Sequence, residues 1–233
     1  METTEIAKLV KLEERHWWYR ERRALLAKAL RRIPGEPGRA IDIGAAGGGN
    51  TRVLAGHGWQ AVACEYSPAG AAASRDRGLQ TVRTDARYLP FATESVDLVV
   101  AFDILEHIHE DDLAAGEIAR VLRPGGTALI AVPADMRLWS AHDEAVDHVR
   151  RYDRDGLRAV VEKAGLVIDE LWSWNVLLRP VAAWRRKRST GSDLDDLSPV
   201  VNAGLIAAIT VERYLPVKRL PGVSLMMRAH RPA

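Results

Sequence analysis

The sequence predicts an α/β fold built on a doubly wound, mainly parallel sheet. Three observations point to it. A short apolar run at 40–43 passes at once into a glycine-rich loop at 44–49, and a helical stretch begins at 50. Strand-like and helix-like segments then alternate regularly as far as residue 132. The runs at 40–43 and 95–102 are nearly continuous in apolar residues, as expected of parallel strands covered on both faces.

Bulk properties narrow the possibilities. With 233 residues and 47% hydrophobic content the chain suits one large core, or one domain with an appendage. We divide it into an N-terminal helical cap, 1–38, and a main α/β domain, 39–233. The net charge of +2 provides no global field for nucleic acid, although the pI is about 8.8. A single cysteine, Cys64, excludes an internal disulfide and reads as a buried small hydrophobe in a cytoplasmic protein. The first ten residues are charged and lack the apolar core of a signal sequence. The longest apolar stretch, 199–211, falls short of the ~20 residues that span a bilayer. The expected partner is a small molecule rather than a nucleic acid, and the expected state is monomer or homodimer.

The loop at 44–49 is the centre of the argument. Glycines let backbone amides approach a ligand and let the chain take positive φ. The dinucleotide fingerprint G-x-G-x-x-G would need glycine at 44, 46 and 49, and Ala46 breaks it. Asp42, inside the strand, suits a cationic or amine-bearing ligand better than a pyrophosphate. Asp42-x-Gly44-x-Ala46-x-Gly48 resembles the D-x-G-x-G-x-G loop of class I S-adenosylmethionine-dependent methyltransferases, with Ala for the middle Gly. A tight strand–helix turn that binds nothing is the plainer alternative.

The remaining elements extend the pattern. Residues 5–32 read as one helix, closed by Pro34, Gly35, Pro37 and Gly38. Its His16-Trp17-Trp18-Tyr19 cluster places Trp18 with Arg22 and Tyr19 with Arg23 on shared faces. Those aromatics either pack on the domain or cap the cofactor, with an arginine such as Arg22 meeting its carboxylate. Strand two, 60–64, ends at Glu65 and Tyr66, where an acidic side chain can accept both ribose hydroxyls. Ser67-Pro68 opens the next helix with a cap and a first-turn proline. Strand three, 79–82, leads to Asp85 and Ala86, an acceptor for the adenine amine and an amide for its ring. Strand four, 95–102, runs into Asp103 and Glu106-His107. Residues 117–122 read as helix, 123–126 as a tight turn, and 127–132 as strand five.

FDILEHI at 102–108, then RVLRPGG at 120–126 and a strand ending in Val132-Pro133, are similar to the methyltransferase core, nearest its ubiquinone-biosynthesis branch. HWWYRERR, LWSAHDE and DHVRRY resemble a bacterial subgroup. The resemblance implies a Rossmann-like sheet of seven strands whose last, 223–230, is antiparallel. It also implies S-adenosylmethionine as cofactor, giving S-adenosylhomocysteine as product. The cofactor residues are then Asp42, Gly44, Ala46, Gly48, Glu65, Tyr66, Asp85, Ala86 and Asp103, with Trp18 and Arg22 from the cap.

Past strand five, the loop 134–151 leaves the same rim. It holds Trp139, His142, His148 and Arg151, with Tyr152 just beyond. We take His148 and His107 as candidate general bases, and Trp139, His142, Arg151 and Tyr152 as substrate contacts. The arginines suggest an anionic group on an otherwise apolar acceptor. Alternatively Arg150 or Arg151 pairs with Asp143, Glu144 or Asp147. Residues 153–164 read as helix and 166–172 as strand six. An insertion of two helices follows at about 174–222, rich in Trp and carrying Arg185-Arg186-Lys187-Arg188. It either roofs the pocket or touches a membrane interface weakly. His107 and His109 diverge on a helix, so no metal site is expected there. The motif N/D-P-P-Y/F of nucleic-acid methyltransferases is absent after strand four. A non-methylating cyclisation or decarboxylation that uses the same cofactor stays open.

Overall fold

The computed structural model describes residues 10–187 and 197–233. Seven strands form one sheet: β1 (Arg39–Ile43), β2 (Gln60–Glu65), β3 (Thr81–Arg83), β4 (Val96–Phe102), β5 (Leu122–Pro133), β6 (Val167–Trp174) and β7 (Ser224–His230). Their order is β3-β2-β1-β4-β5-β7-β6. β7 runs antiparallel to both β5 and β6, and the β3-β2-β1-β4-β5 pairings are parallel. The expected Rossmann-like sheet with an antiparallel last strand is therefore present.

Period-two alternation splits the core into two layers. Ile41, Ile43, Val99 and Ala101 face one side, packing on Ile118, Leu157 and Val161. These belong to helices α4 (Asp111–Val121) and α6 (Arg154–Lys163). Ala40, Leu98, Val100 and Phe102 face the other, under Leu26, Leu54 and Ile209. These come from α1 (Trp17–Leu30), α2 (Gly49–Gly56) and α8 (Pro199–Glu212). Completing the helices are α3 (Pro68–Asp76), α5 (Ala141–Ala145) and α7 (Arg179–Arg186).

Three sequence expectations need correction. The helix expected over 5–32 is interrupted: a turn closes on Leu12, and α1 starts only after His16. His16 is extended (φ −68°, ψ 131°) and its ring accepts from the Trp18 amide, so it is an N-cap rather than a mid-helix residue. The helix expected at 117–122 begins earlier, at Asp111, because Asp111 and Asp112 charge its first turn. The turn at 123–126 lies within β5 as a bulge. Leu122 pairs with Val96 and Thr127 with Leu98, and Gly125 takes φ +76° between them. The start of the predicted first helix, residues 5–9, lies outside the described residues. So do Arg188 and most of the polar gap of the insertion.

Candidate active site

The sheet order reverses between β1 and β4, whose following chains leave for opposite faces. In such sheets a crevice opens beyond the strand carboxyl ends at that point. Ile43 pairs with Cys64 and with Ala101, so Gly44, Glu65 and Asp103 leave the sheet on one rim. A cleft of about 850 Å³ occupies this rim.

At the glycine corner the backbone turns left-handed three times, at Gly44 (φ +72°), Ala46 (φ +45°) and Gly48 (φ +80°). A Cβ at Gly44 would stand 2.9 Å from Ile104 Cδ1, and one at Gly48 2.1 Å from Leu79 Cδ1. The positive φ favours glycine at both positions, and a side chain at either would also have to displace the end of Ile104 or Leu79. Ala46 tolerates its positive φ because its N–H donates to Glu65 Oε2 at 2.8 Å. The other Glu65 oxygen accepts from the Ser67 amide, also at 2.8 Å. Two backbone donors therefore aim this 8%-exposed carboxylate along the cleft wall.

Asp42 lies elsewhere than expected. Its carboxyl is buried beneath the loop, accepts from Thr51 Oγ1 at 2.7 Å, and is not part of the cleft wall. Burial pushes its pKa up to about 7. Its position two residues before Gly44 on β1 sends it toward α2 rather than toward the rim, so it anchors the loop to the helix. Gly48 likewise supports the loop from behind, packed toward Leu79 and Ser74.

Helix α1 packs on the sheet and also borders the cleft. Trp17 and Trp18 pack with Trp174 and the sheet, and also line the cleft. Arg22, 3% exposed, lies between the Trp18 and Trp174 rings, its guanidinium carbon 5.0 and 4.7 Å from their centroids. It reaches Asp103 Oδ1 at 2.6 Å and Ser224 Oγ at 3.3 Å. Across the corner, Asp85 is paired with Arg87, whose hydrogen bonds hold its carboxyl below the ordinary range. Asp85, Ala86 and the exposed Tyr66 line the wall.

At the other end stand His107, His142 and His148. Asp143 organises this region. Its Oδ1 lies 2.8 Å from His148 Nδ1 and 2.7 Å from Arg151 Nη2, while Oδ2 accepts from the Ser140 amide at 3.0 Å. Burial opposes the charge on Asp143, yet the His148 hydrogen bond and the Arg151 cation hold its carboxyl far below the usual range. A carboxylate accepts only, so His148 Nδ1 carries a hydrogen, and in the neutral ring the lone pair is on Nε2. His107 is neutral at physiological pH, since burial and then His148 lower its pKa to about 4.

Two expected substrate contacts are not at the cleft. Tyr152 is buried and its hydroxyl donates to Asp111 Oδ2 at 2.5 Å, so it ties the loop to α4. Trp139 lies off the lining, its amide closing the turn onto Met136. Arg151 reaches the cleft wall, but its side chain is fully buried and committed to Asp143 and to the Ala134 carbonyl. It is a clamp rather than an open cation. Arg150 pairs with Asp111, an acid the sequence did not suggest.

Sequence reasoning missed Glu106, whose carboxylate is fully buried beside the histidines. It also missed Glu13, which pairs with Arg77 over the glycine loop. The insertion helices contribute Leu178, Val181, Ala182, Arg185, Arg186 and Leu205 to the cleft. No described helix is long and apolar enough to cross a membrane.

The sheet order, the left-handed glycine corner and the acid at the end of β2 match the arrangement that the sequence resemblance implied, that of a class I S-adenosylmethionine-dependent methyltransferase domain. Its cofactor is S-adenosylmethionine, and the residues fit it: an oriented Glu65 for the ribose, and an Arg22–Asp103 pair of opposite charges for the methionine part. Residues 41–130 match the family model of the methyltransferase domain. A probable S-adenosylmethionine-dependent methyltransferase of Mycolicibacterium smegmatis is 26% identical over 166 residues, 68% of this chain and 63% of that protein. The demethylmenaquinone methyltransferase of Corynebacterium glutamicum is 36% identical over 119 residues, 51% of this chain and 49% of the relative. The chain thus spans about half to just under two thirds of these relatives. The complex between the Haloferax volcanii Trm112 methyltransferase activator and a methyltransferase contains a chain of the same fold (TM-score 0.68, 22% identity, 99% of this chain and 95% of that one).

Proposed function

We propose that this chain transfers a methyl group from S-adenosylmethionine to a small, largely apolar acceptor that carries an anionic group. The observation that carries this reading is the continuity of the cleft. One cavity joins the glycine corner and Glu65 to the histidines and to Arg185 and Arg186 on the roof. The Corynebacterium glutamicum relative, by its name, acts on demethylmenaquinone, and this supports a small-molecule acceptor.

When bound, the cofactor supplies an electrophilic methyl on a sulfonium. The chain's own task is then positioning, which can be worth ~7–11 kcal/mol of barrier. Glu65 holds the ribose end against the loop, and Trp18 and Trp174 exclude water above Arg22. His148 Nε2, with Asp143 behind Nδ1, takes the acceptor's proton; neutral His107 is the alternate base. Arg185 and Arg186 orient the anionic group from the roof.

The test has two parts. Calorimetry with S-adenosylhomocysteine should show binding that weakens at least tenfold in Glu65→Ala, as about 1.5 kcal/mol of charge-assisted hydrogen bonding is lost. Incubation with S-adenosylmethionine and hydroxylated aromatic acids should give a product heavier by one methylene. A product of unchanged mass would replace transfer with cyclisation, and binding to NAD in place of S-adenosylhomocysteine would remove the reading altogether.

A further inference from the structure

Glu106, His107 and His148 converge at the acceptor end of the cleft, and each offers one ligand atom within 4.8 Å of the others. Glu106 and His107 come from the single turn of 3₁₀ helix (Leu105–His107) after β4, and His148 from the loop after β5. The Val149 amide donates to the Glu106 carbonyl at 2.8 Å, which ties the two segments together. The two imidazole centroids are 4.7 Å apart, and His148 Nε2 stands 3.8 Å from Glu106 Oε1.

Two features separate this cluster from a chance meeting of polar groups. The first is the state of the imidazoles. His148 Nδ1 faces the Asp143 carboxylate, and His107 Nδ1 lies 3.3 Å from the Asp147 carbonyl oxygen. Both acceptors force the hydrogen onto Nδ1, so both Nε2 atoms carry lone pairs. An outer carboxylate or carbonyl on the far ring nitrogen is the usual support of a metal-bound histidine. The second is Glu106, whose side chain is wholly buried. Neither of its oxygens accepts a hydrogen bond among the described residues. A buried carboxylate without a partner is strongly disfavoured unless something compensates it.

We propose that Glu106, His107 and His148 bind one divalent first-row transition-metal ion, with its open positions facing the acceptor. Imidazole nitrogens with one carboxylate suit zinc, iron(II) or manganese rather than calcium. Ligands about 2.1 Å from such an ion stand roughly 3.4 Å apart, so the cluster closes by about 1 Å on loading. The cation supplies the charge that Glu106 lacks. Protonation of Glu106, which burial and Asp103 both favour, would remove its charge and leave the new O–H facing His148 Nε2 at 3.8 Å, beyond hydrogen-bond distance. The role rests on the methyl-transfer reading, although the site does not. A hydroxyl on the acceptor binds the ion through oxygen and becomes more acidic, and its proton leaves to water. His148 then acts as a ligand, and the ion replaces it as the means of deprotonation.

The test uses the untagged full chain, stripped with chelator and dialysed. Equilibrium dialysis against Zn²⁺ or Mn²⁺ with elemental analysis should find one ion per chain, and Co²⁺ should give visible d–d bands. Glu106→Gln is a near-isosteric change that removes a buried charge. It should fold at least as stably as the stripped wild type yet bind the ion at least tenfold more weakly. His107→Gln should weaken binding similarly, with a shifted Co²⁺ spectrum. Calorimetry with S-adenosylhomocysteine, run in parallel, should be unchanged by stripping. If that binding is absent, the methyl-transfer reading fails while the ion count still decides the site. A wild type that retains no ion, or a Glu106→Gln variant that binds it as tightly, overturns the proposal. Full methyl transfer in chelator overturns the ion's part in deprotonation and leaves His148 as the base.

Discussion

Arg151→Ala separates a clamp from a substrate contact. The Arg151 and Asp143 side chains are both completely shielded from solvent and meet at 2.7 Å. Removing the guanidinium leaves Asp143 buried with the His148 ring as its remaining side-chain partner beside the Ser140 cap, and vacates the Ala134 carbonyl. Breaking a buried pair from one side costs about 3–5 kcal/mol, because the survivor stays desolvated. For a chain of this size that corresponds to a drop in Tm of about 6–20 °C. Urea unfolding followed by circular dichroism measures it directly. Asp143→Asn combined with Arg151→Met should recover part of the loss, since no lone charge then remains, and the double-mutant cycle reports the coupling. A loss below about 1 kcal/mol, accompanied by a higher Michaelis constant, would show that the guanidinium serves the substrate and that the clamp is wrong.

Two further perturbations follow from the glycine corner. Ala46 has φ +45°, so Ala46→Gly should relieve backbone strain of about 1–2 kcal/mol against a glycine entropy cost of about 0.5–1, for a net gain of up to ~1 kcal/mol in unfolding free energy; a net loss would mean that the alanine methyl packs usefully. Asp42→Asn tests the carboxyl whose pKa burial raises from 3.8 to about 7. Below pH ~3 both the folded and unfolded states hold the proton. As pH rises toward 7 the unfolded chain gives it up first, so the wild type loses stability relative to the variant. Asp42→Asn should therefore gain about 2–4 kcal/mol over wild type between pH 4.5 and 8, and equal urea midpoints at both pH values would refute the shift.

The order of strands and helices was legible because it rests on local signals. Glycine, proline and the alternation of apolar runs report backbone conformation and burial within a few residues. The corner from Gly44 to Gly48, the acid at Glu65, Asp103 at the end of β4 and the antiparallel strand near the end of the chain are all of this kind. What a side chain does there was less legible, since that depends on which face its strand or loop presents. Asp42 and Gly44 are two residues apart, yet one lies under the loop and the other on the cleft wall. For His107 the sequence offered only His109 as a companion. Its actual companions are Glu106, which a 3₁₀ turn directs inward, and His148, from the next crossover. Arg151 and Tyr152 read as substrate contacts because a loop rich in His, Arg and Tyr is chemically versatile. Burial decided otherwise, since desolvated charges must find partners and found them in Asp143 and Asp111. Spacing along the chain sets which residues can share a local element, while pairing between distant elements is set by packing, and the acceptor end of this cleft is made almost wholly of the second kind.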